Sequence, residues 1–591
     1  MKALFFCVLI GLSTASAQAP LGKLLTRQYS SLPDNSPTLI LVSFKDKGKF
    51  GFARPQKPVP LVSERSIWRR SKVRDAAHVI DDQDFPLEES YVQSVASVAS
   101  AIRHRLKWFN AVSALATKPQ IEEIRKLPFV IEVELVGRWR TRKDEEQSGP
   151  WKEPPSLQAP TAAESLDYGS SFPQVNQLNV PAVHKLGFFG QGVVIGVFDN
   201  GFRNLAHQAF DSMTIIATYD FVDHKVSVKP NNPSTGFGAH GVNTLSTIGG
   251  NKSGSLIGPA FKSSFILART ENDSSETPIE EDNWAAAIQW ADSIGVDVTS
   301  TSLGYLTFDA PYTSLTWADM DGHTALITRA ADRAVGLGIV VVNSAGNDAV
   351  ARGGQPNTLI APADGDSVIT AGAVNSSGVR ASFSSYGPTV DGRTKPDVMA
   401  DGVGVKVASA TDTTLYGGAS GTSFSCPLSA GVAALVLCAN PTLTPIQVRE
   451  AMRQTASNVC SPNNLMGWGI LNALAAIKYY NRVGVISGSV YNDLNGNGIL
   501  NPGEPGVNNF KIRLTCTKVE STSTNPSGNY SFDSLSFGSY TVQEVLPAGW
   551  VRTFPPAGSY SITLDSTNTI VASRNFGSFQ LGAIHGMKFN D

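Results

Sequence analysis

The sequence predicts a multidomain protein. A central α/β unit on a parallel sheet is preceded by a small α+β unit and followed by an all-β sandwich. Three observations carry this reading. Between about 170 and 482, uninterrupted apolar runs alternate with helical patterns, as expected of strands buried on both faces and covered by helices. Between 37 and 136, β-branched runs flank stretches with helical apolar spacing. From about 484, short β-rich runs are separated by Gly, Asn, Asp and Pro, the pattern of a small sandwich. The length of 591 residues also exceeds one ordinary domain.

Taken in order, the chain opens with Lys2, the short apolar run ALFFCVLIGL and the small-x-small triplet ASA at 15–17. These parts read as a signal peptide over 1–17, with export and a new N-terminus near Gln18. Cys7 lies inside the apolar run and follows no lipobox, so a lipoprotein is not expected. No later stretch reads as a membrane helix. The α+β unit spans 18–140. TLILVSF (38–44) and FVIEVELV (129–136) read as strands, LEESYVQSVASVASAI (87–102) as a helix, KWFNAVSALAT (107–117) as a strand and KPQIEEIRKL (118–127) as a short helix. Residues 141–169 are charged and Pro-rich with little apolar content, an exposed, protease-sensitive linker.

In the central unit, VVIGVFD (193–199), SFILART (264–270), DVTSTSLG (297–304), GIVVVNSAG (338–346) and SVITAGAV (367–374) are apolar strands ending in small residues. NWAAAIQWADSIG (283–295) and ALITRAADRAVGLG (325–338) read as helices between them. Ligand sites of such sheets lie at the carboxyl ends of the strands. The 48 Lys and Arg nearly balance the 50 Asp and Glu, so no basic field points to nucleic acid. After removal of the signal, Cys426, Cys438, Cys460 and Cys516 are too few for a disulfide framework. Cys426 and Cys438 read as buried thiols, and a Cys438–Cys460 bridge stays open as an alternative.

Three residues in this unit have the chemistry of a nucleophilic site. Asp199 ends an apolar strand; alone it reads equally as a turn or cap residue. His240 sits in FGAHGVNTLSTIGG, where glycines clear space around the ring ahead of a small-residue helix. Ser423 lies in GTSFSCPLSAGVAALVL, at the start of an apolar helix. Ser and Thr cap helices routinely, but a helix N-terminus also offers N–H groups and positive potential to an oxyanion. Asn347, in NSAGND after a buried strand, can reach the same place.

Asp, His and Ser in this chain order form one of the known arrangements of the serine-hydrolase triad. Together with SLG at 302–304, SAGN at 344–347 and the closing GWGILNALAAI, these boxes resemble the subtilisin-like serine peptidases over roughly 170–482. The resemblance implies a secreted serine endopeptidase acting on proteins or peptides. Asp199 would orient His240, His240 would take the proton of Ser423, and Ser423 would form an acyl-enzyme. It also implies that Asn347 donates to the oxyanion and that the edge Ser302, Leu303, Gly304 pairs with extended substrate backbone. The boxes depart from the family in Asn200, Val242 and Phe424-Ser425, which bears on subsite shape. The unit at 18–140 resembles the inhibitory propeptides of this family, which implies a self-processed precursor. A silent surface adhesin that retains the peptidase fold is the alternative; an esterase would want a G-x-S-x-G elbow that Ser423 lacks.

The loop DLNGNGILNPGE (493–504) fits the oxygen-ligand pattern of calcium loops throughout. Asp493, Asn495, Asn497, the Ile499 carbonyl, Asn501 (directly or through water) and Glu504 would supply the oxygens, with Gly498 at the sharp turn. Two formal charges imply weak Ca²⁺ binding. A plain Asn/Gly-rich turn is the other reading. The stretch 484–580 resembles the calcium-binding B-type repeats of bacterial surface adhesins, which implies cell-surface association. ISGSVYND (486–493) recurs as IHGMKFND (584–591), so a second, truncated repeat is expected at 584–591.

Overall fold

The structure, a computed structural model, describes residues 18–48, 61–136, 166–231, 235–273, 279–306, 314–351, 354–480, 484–515, 519–535, 538–564, 568, 570–582, 586–588 and 590. The expected signal peptide, most of the expected linker, Cys516 and much of 584–591 lie outside these residues.

The central unit is built on a seven-stranded sheet. Its spatial order is Val398–Asp401, Ile369–Val374, Val340–Ser344, Val298–Thr301, Val194–Asp199, Ser264–Arg269 and Thr214–Asp220. Every pairing is parallel. The five predicted strands form its middle, and the sequence reading missed the two edge strands. Thr214–Asp220 is half exposed and Val398–Asp401 has four residues, so neither presents a long apolar run.

Alternation along the strands sorts side chains onto two faces. Ile195, Val197, Val340 and Val342 pack with Val242, Leu245 and Val432 from the helices His240–Gly249 and Thr422–Ala439. Val194, Phe198 and Val341 pack on the other face with Trp284, Ile288 and Ala330 from Ile279–Ile294 and Leu326–Gly336. The register places Phe198 beside Thr301 and Thr301 beside Asn343. Asp199, Ser302 and Ser344 therefore emerge together at the carboxyl edge. Thr422–Ala439 is apolar enough to cross a membrane but is almost wholly buried in this core.

The α+β unit is a four-stranded antiparallel sheet, ordered Ala101–Leu106, Ala111–Ala116, Thr38–Phe44, Val130–Leu135. The helices Glu89–Val98 and Lys118–Ile124 pack with its strands. The predicted helix over 87–102 is too long: it stops at Val98, and Ala101 and Ile102 begin a strand. Helical apolar spacing runs through SVASVAS, but pairing with Ala111–Ala116 claims the residues after Ser100. The strand read over 107–117 is shorter too, since Lys107–Phe109 is a 3₁₀ turn.

This unit shares one apolar cluster with the central unit: Val95, Trp108 and Ile121 belong to the same core as Trp284, Ile288 and Ile327. Between its first strand and first long helix it also extends an arm, residues 61–84. The Ser63 N–H donates to Ser293 O (2.8 Å) and the Ser63 hydroxyl to Ile294 O (2.7 Å). Arg69 donates to Val296 O (2.6 Å) and Leu337 O (3.1 Å). These acceptors precede the strands Val298–Thr301 and Val340–Ser344. The arm thus grips the amino edge of the sheet, opposite Asp199. Arg69 and Arg70 have 0% exposure and both pair with Asp292, also fully buried; Arg70 in addition meets Asp84 at 2.7 Å.

The C-terminal unit has two sheets of five and four strands around its own core, which includes Ile486, Ile512, Phe532, Val542 and Phe576. The expected sandwich is present, with the additional strands Val519–Ser523, Trp550–Phe554, Ile570–Val571 and Phe576–Gln580.

Candidate active site

Asp199 is completely buried at the carboxyl end of its strand. Its Oδ1 lies 2.7 Å from His240 Nδ1 and accepts the Asn200 N–H at 2.8 Å. Its Oδ2 accepts the Thr244 hydroxyl at 2.8 Å. A carboxylate facing Nδ1 puts the imidazole proton there and leaves Nε2 bare as a base. Thr244 was not singled out from sequence. The available signal is its spacing: four residues after His240 on one helix, it shares the face turned toward Asp199.

His240 begins the helix His240–Gly249, and Asn200 Oδ1 accepts the Gly241 N–H at 3.1 Å. Asn200 therefore satisfies one orphan donor of the helix start. Residue 241 has no room for a side chain, since a Cβ there would lie 2.3 Å from Gly201 O.

Ser423 is in the first turn of Thr422–Ala439. The helix start adjoins the base: the Phe424 and His240 ring centroids are 6.0 Å apart. Pro427 explains a local detail. Having no N–H, it cannot donate to the carbonyl four residues back, which is that of Ser423. That carbonyl accepts the Ser302 hydroxyl instead, at 2.7 Å, while the Ser423 hydroxyl donates to Ser302 O at 3.3 Å. The nucleophile turn and the start of the 302–304 edge are thus tied in both directions. Asn343 Nδ2 donates to Leu303 O at 3.0 Å, and Gly304 packs on Ile360.

Asn347 has a fixed orientation. Its Oδ1 accepts from the Thr422 N–H (2.9 Å) and the Thr422 hydroxyl (3.0 Å). A backbone N–H can only donate, so the amide oxygen faces Thr422 and Nδ2 points away from it. Gly421, at φ 152°, shows where Nδ2 points. A Cβ on Gly421 would stand 3.4 Å from Asn347 Nδ2 and 3.7 Å from both Ser423 N and Ser423 Oγ. Two N–H donors and a hydroxyl oxygen converge on one small space, a cradle for an oxygen that gains negative charge.

Cys426 is a buried thiol as expected. It donates to Thr301 O at 3.3 Å, and burial pushes it up to about 12, so it is inert. Cys438 is half-buried and Cys460 exposed, and the two are not joined by a disulfide, so the bridge left open by the sequence is not formed.

In the C-terminal unit, Asp493 is buried and accepts the N–H groups of Gly498 (2.7 Å) and Asn497 (3.1 Å). Burial pushes its carboxyl up, but the neighbouring Thr553 side chain and the hydrogen-bonding loop amides more than offset this and hold it below its usual value. Glu504 accepts from Leu494 N (3.1 Å) and Asn501 N (2.7 Å). Asn501 Oδ1 accepts from both Asn495 Nδ2 (2.8 Å) and Asn497 Nδ2 (2.9 Å). The loop gathers side chains that carry two carboxylates and three carboxamides, an oxygen set suited to a hard cation. Among the described residues no group of three or more His, Cys, Asp or Glu could hold a metal; this loop relies on Asn for most of its oxygens.

Comparison with known proteins matches three segments to families. Residues 190–469 match the subtilase family, 39–150 a Bacteroidota peptidase S8 propeptide domain, and 484–583 an SdrD B-like domain. Subtilisin NAT of Bacillus subtilis subsp. natto is 30% identical over 386 residues, 65% of this chain and 85% of that protein. Subtilisin of Bacillus pumilus is 34% identical over 318 residues, 54% of this chain and all of that protein. Fervidolysin from Fervidobacterium pennivorans, a keratinolytic enzyme related to subtilisin, shares the fold, with a TM-score of 0.54 at 18% identity over 96% of this chain and 81% of its own.

Proposed function

Because the chain belongs to the subtilase family of serine endopeptidases, we propose that it hydrolyses protein substrates through Asp199, His240 and Ser423. His240 Nε2 takes the Ser423 proton as Oγ attacks the peptide carbonyl. The oxyanion forms in the cradle between Asn347 Nδ2 and Ser423 N. His240 then gives its proton to the leaving amine, and water, activated by the same base, releases the acyl group from Ser423. Asp199, itself held by Thr244, stabilises the imidazolium. The edge Ser302, Leu303, Gly304 pairs with extended substrate backbone. The observation that carries this reading is the convergence of Asn347 Nδ2, Ser423 N and Ser423 Oγ on one point, at the end of the sheet where Asp199 holds His240.

The domain reading follows: export by 1–17, a propeptide over 18–140, a cut in the linker 141–169, catalysis by 170–482 and surface association through 484–580. Asp493, Asn495, Asn497, Ile499, Asn501 and Glu504 would hold Ca²⁺, which when bound supplies charge neutralisation and rigidity to the loop. The fate of the precursor tests the proposal. Wild type should separate into an N-terminal fragment and a mature chain, while Ser423→Ala should stay as one chain in a protease-free host. An alanine variant that still matures would contradict self-processing.

A further inference from the structure

Resting on the peptidase reading, we propose that Ser385 is a positioning residue for the reaction. It fixes the main chain of the oxyanion turn, so that Asn347 Nδ2 stays aimed at the cradle. Asn347 follows Gly346, whose φ of 106° lies in the region that glycine enters at little cost. The turn after the strand Val340–Ser344 therefore leaves the sheet on a pivot. Thr422 fixes which way the Asn347 amide faces, but an amide held at its tip still moves with its own main chain. That main chain needs a separate hold.

Ser385 supplies the hold from both sides. Its N–H donates to Gly346 O at 2.9 Å, and its Oγ accepts the Asp348 N–H at 3.1 Å. One residue thus brackets Asn347. The approach is close, since a Cβ on Gly346 would stand 2.9 Å from Ser385 Oγ. A further rung follows, from the Ala349 N–H to Phe383 O at 3.1 Å. The bracket is itself anchored. Ser384 Oγ accepts the Ala373 N–H at 3.0 Å, on the strand paired with Val340–Ser344. The Thr358 N–H donates to Tyr386 O at 2.9 Å, and the Tyr386 N–H donates to the Thr358 hydroxyl at 3.0 Å. Ser384 and Ser385 are both fully buried. Ser385 therefore sits between two fixed neighbours and passes that rigidity to the turn. Such rigidity matters to an oxyanion donor, which works only within hydrogen-bond distance of the oxygen as its charge develops. A misplacement of about 1 Å can cost on the order of 10²-fold.

The test is a double-mutant cycle on wild type, Ser385→Ala, Asn347→Ala and the double variant. All four are full chains opened by an added site-specific protease at a sequence placed in the linker 141–169 and then freed of the propeptide. Slow self-processing of a weak variant then does not bias the comparison. Melting temperatures check the fold. If Ser385→Ala does not fold, Ser385→Cys, which keeps a weaker acceptor of similar shape, goes through the same cycle. Steady-state kinetics on a quenched peptide should show kcat lowered about fivefold to tenfold by Ser385→Ala, with KM changed less than twofold. In the Asn347→Ala background the same change should cost less than twofold, because the donor that Ser385 positions is already gone. A residue that only supports the fold would cost the same factor in both backgrounds. That equality, an unchanged kcat in Ser385→Ala, or a loss confined to KM would overturn the proposal. If wild type cleaves and labels with a fluorophosphonate yet one of these results appears, this proposal alone is lost. A wild type that neither labels nor cleaves loses the peptidase reading and this proposal together.

Discussion

Asp292→Ala probes how the propeptide is held. Asp292 lies on the catalytic side of the interface and is paired with two fully buried guanidiniums from the propeptide arm. The substitution does not affect them equally. Arg70 keeps both Asp84 oxygens at 2.7 Å. Arg69 keeps only the neutral acceptors Val296 O, Leu337 O and Ser66 Oγ. One buried cation is therefore left without a directly bonded carboxylate, a loss of about 3–5 kcal/mol. The assay is urea unfolding of the uncleaved Ser423→Ala precursor with and without Asp292→Ala. Propeptide added in trans to mature enzyme should bind roughly 10²–10³-fold more weakly, since each 1.4 kcal/mol is tenfold. Adding Arg69→Met to Asp292→Ala should restore most of the loss, because replacing a buried pair as a whole is often nearly neutral. A loss under about 1 kcal/mol, or a double variant as unstable as the two single losses added, would refute the reasoning.

Other outcomes follow from the same geometry. Asn347→Ala should lower kcat by about 10²–10³ with little change in KM, because Nδ2 matters once charge develops on the oxygen; steady-state kinetics would show it. Burial pushes the Glu281 carboxyl up to about 7 from 4.5, so between those values the folded state binds the proton more than the unfolded chain does. Its contribution to stability should therefore fall by about 2–3 kcal/mol as pH rises through that window. Glu281→Gln, which keeps an acceptor for the Ile327 N–H, should match wild type near pH 4 and melt higher at pH 8. The C-terminal unit has its own core, so isolated residues 484–582 should fold. Their melting temperature should rise in millimolar Ca²⁺ through loop binding, by about 1.4 kcal/mol of stabilisation at ten times a dissociation constant near 10⁻⁴–10⁻³ M. Glu504→Gln should remove most of that gain; equal melting in Ca²⁺ and in chelator would mean a plain turn.

The central strands were legible because burial on both faces leaves unbroken apolar runs such as VVIGVFD. Asp199, His240, Asn347 and Ser423 stand out in the sequence as boxes in chain order; the register of the sheet brings Asp199 and Ser302 to one edge, and the starts of two helices bring His240 and Ser423 to it. The edge strand Thr214–Asp220 was not, since one of its faces is partly open to water and its pattern is mixed. The arm over 61–84 was invisible for a different reason. SERSIWRR reads as a polar surface, and Arg69 and Arg70 are buried only because Asp292, more than two hundred residues away, neutralises them. Thr422 and Thr244 were missed because positioning residues carry no chemistry of their own; their roles appear only as hydrogen bonds to Asn347 and Asp199. Pro427 stood in the quoted sequence, but its effect on the Ser423 carbonyl depends on Ser302 arriving from another strand.

The central claim is that Ser423 is an activated nucleophile in an assembled triad, and covalent labelling tests it most directly. Mature protein treated with a fluorophosphonate should gain one adduct, located by peptide mapping on Ser423. His240→Ala should slow labelling by several decades while leaving the melting temperature close to wild type, because the base activates the hydroxyl and the fold does not depend on it. A folded wild-type protein that takes up no label at Ser423, or a His240→Ala variant that labels at the wild-type rate, would contradict the account.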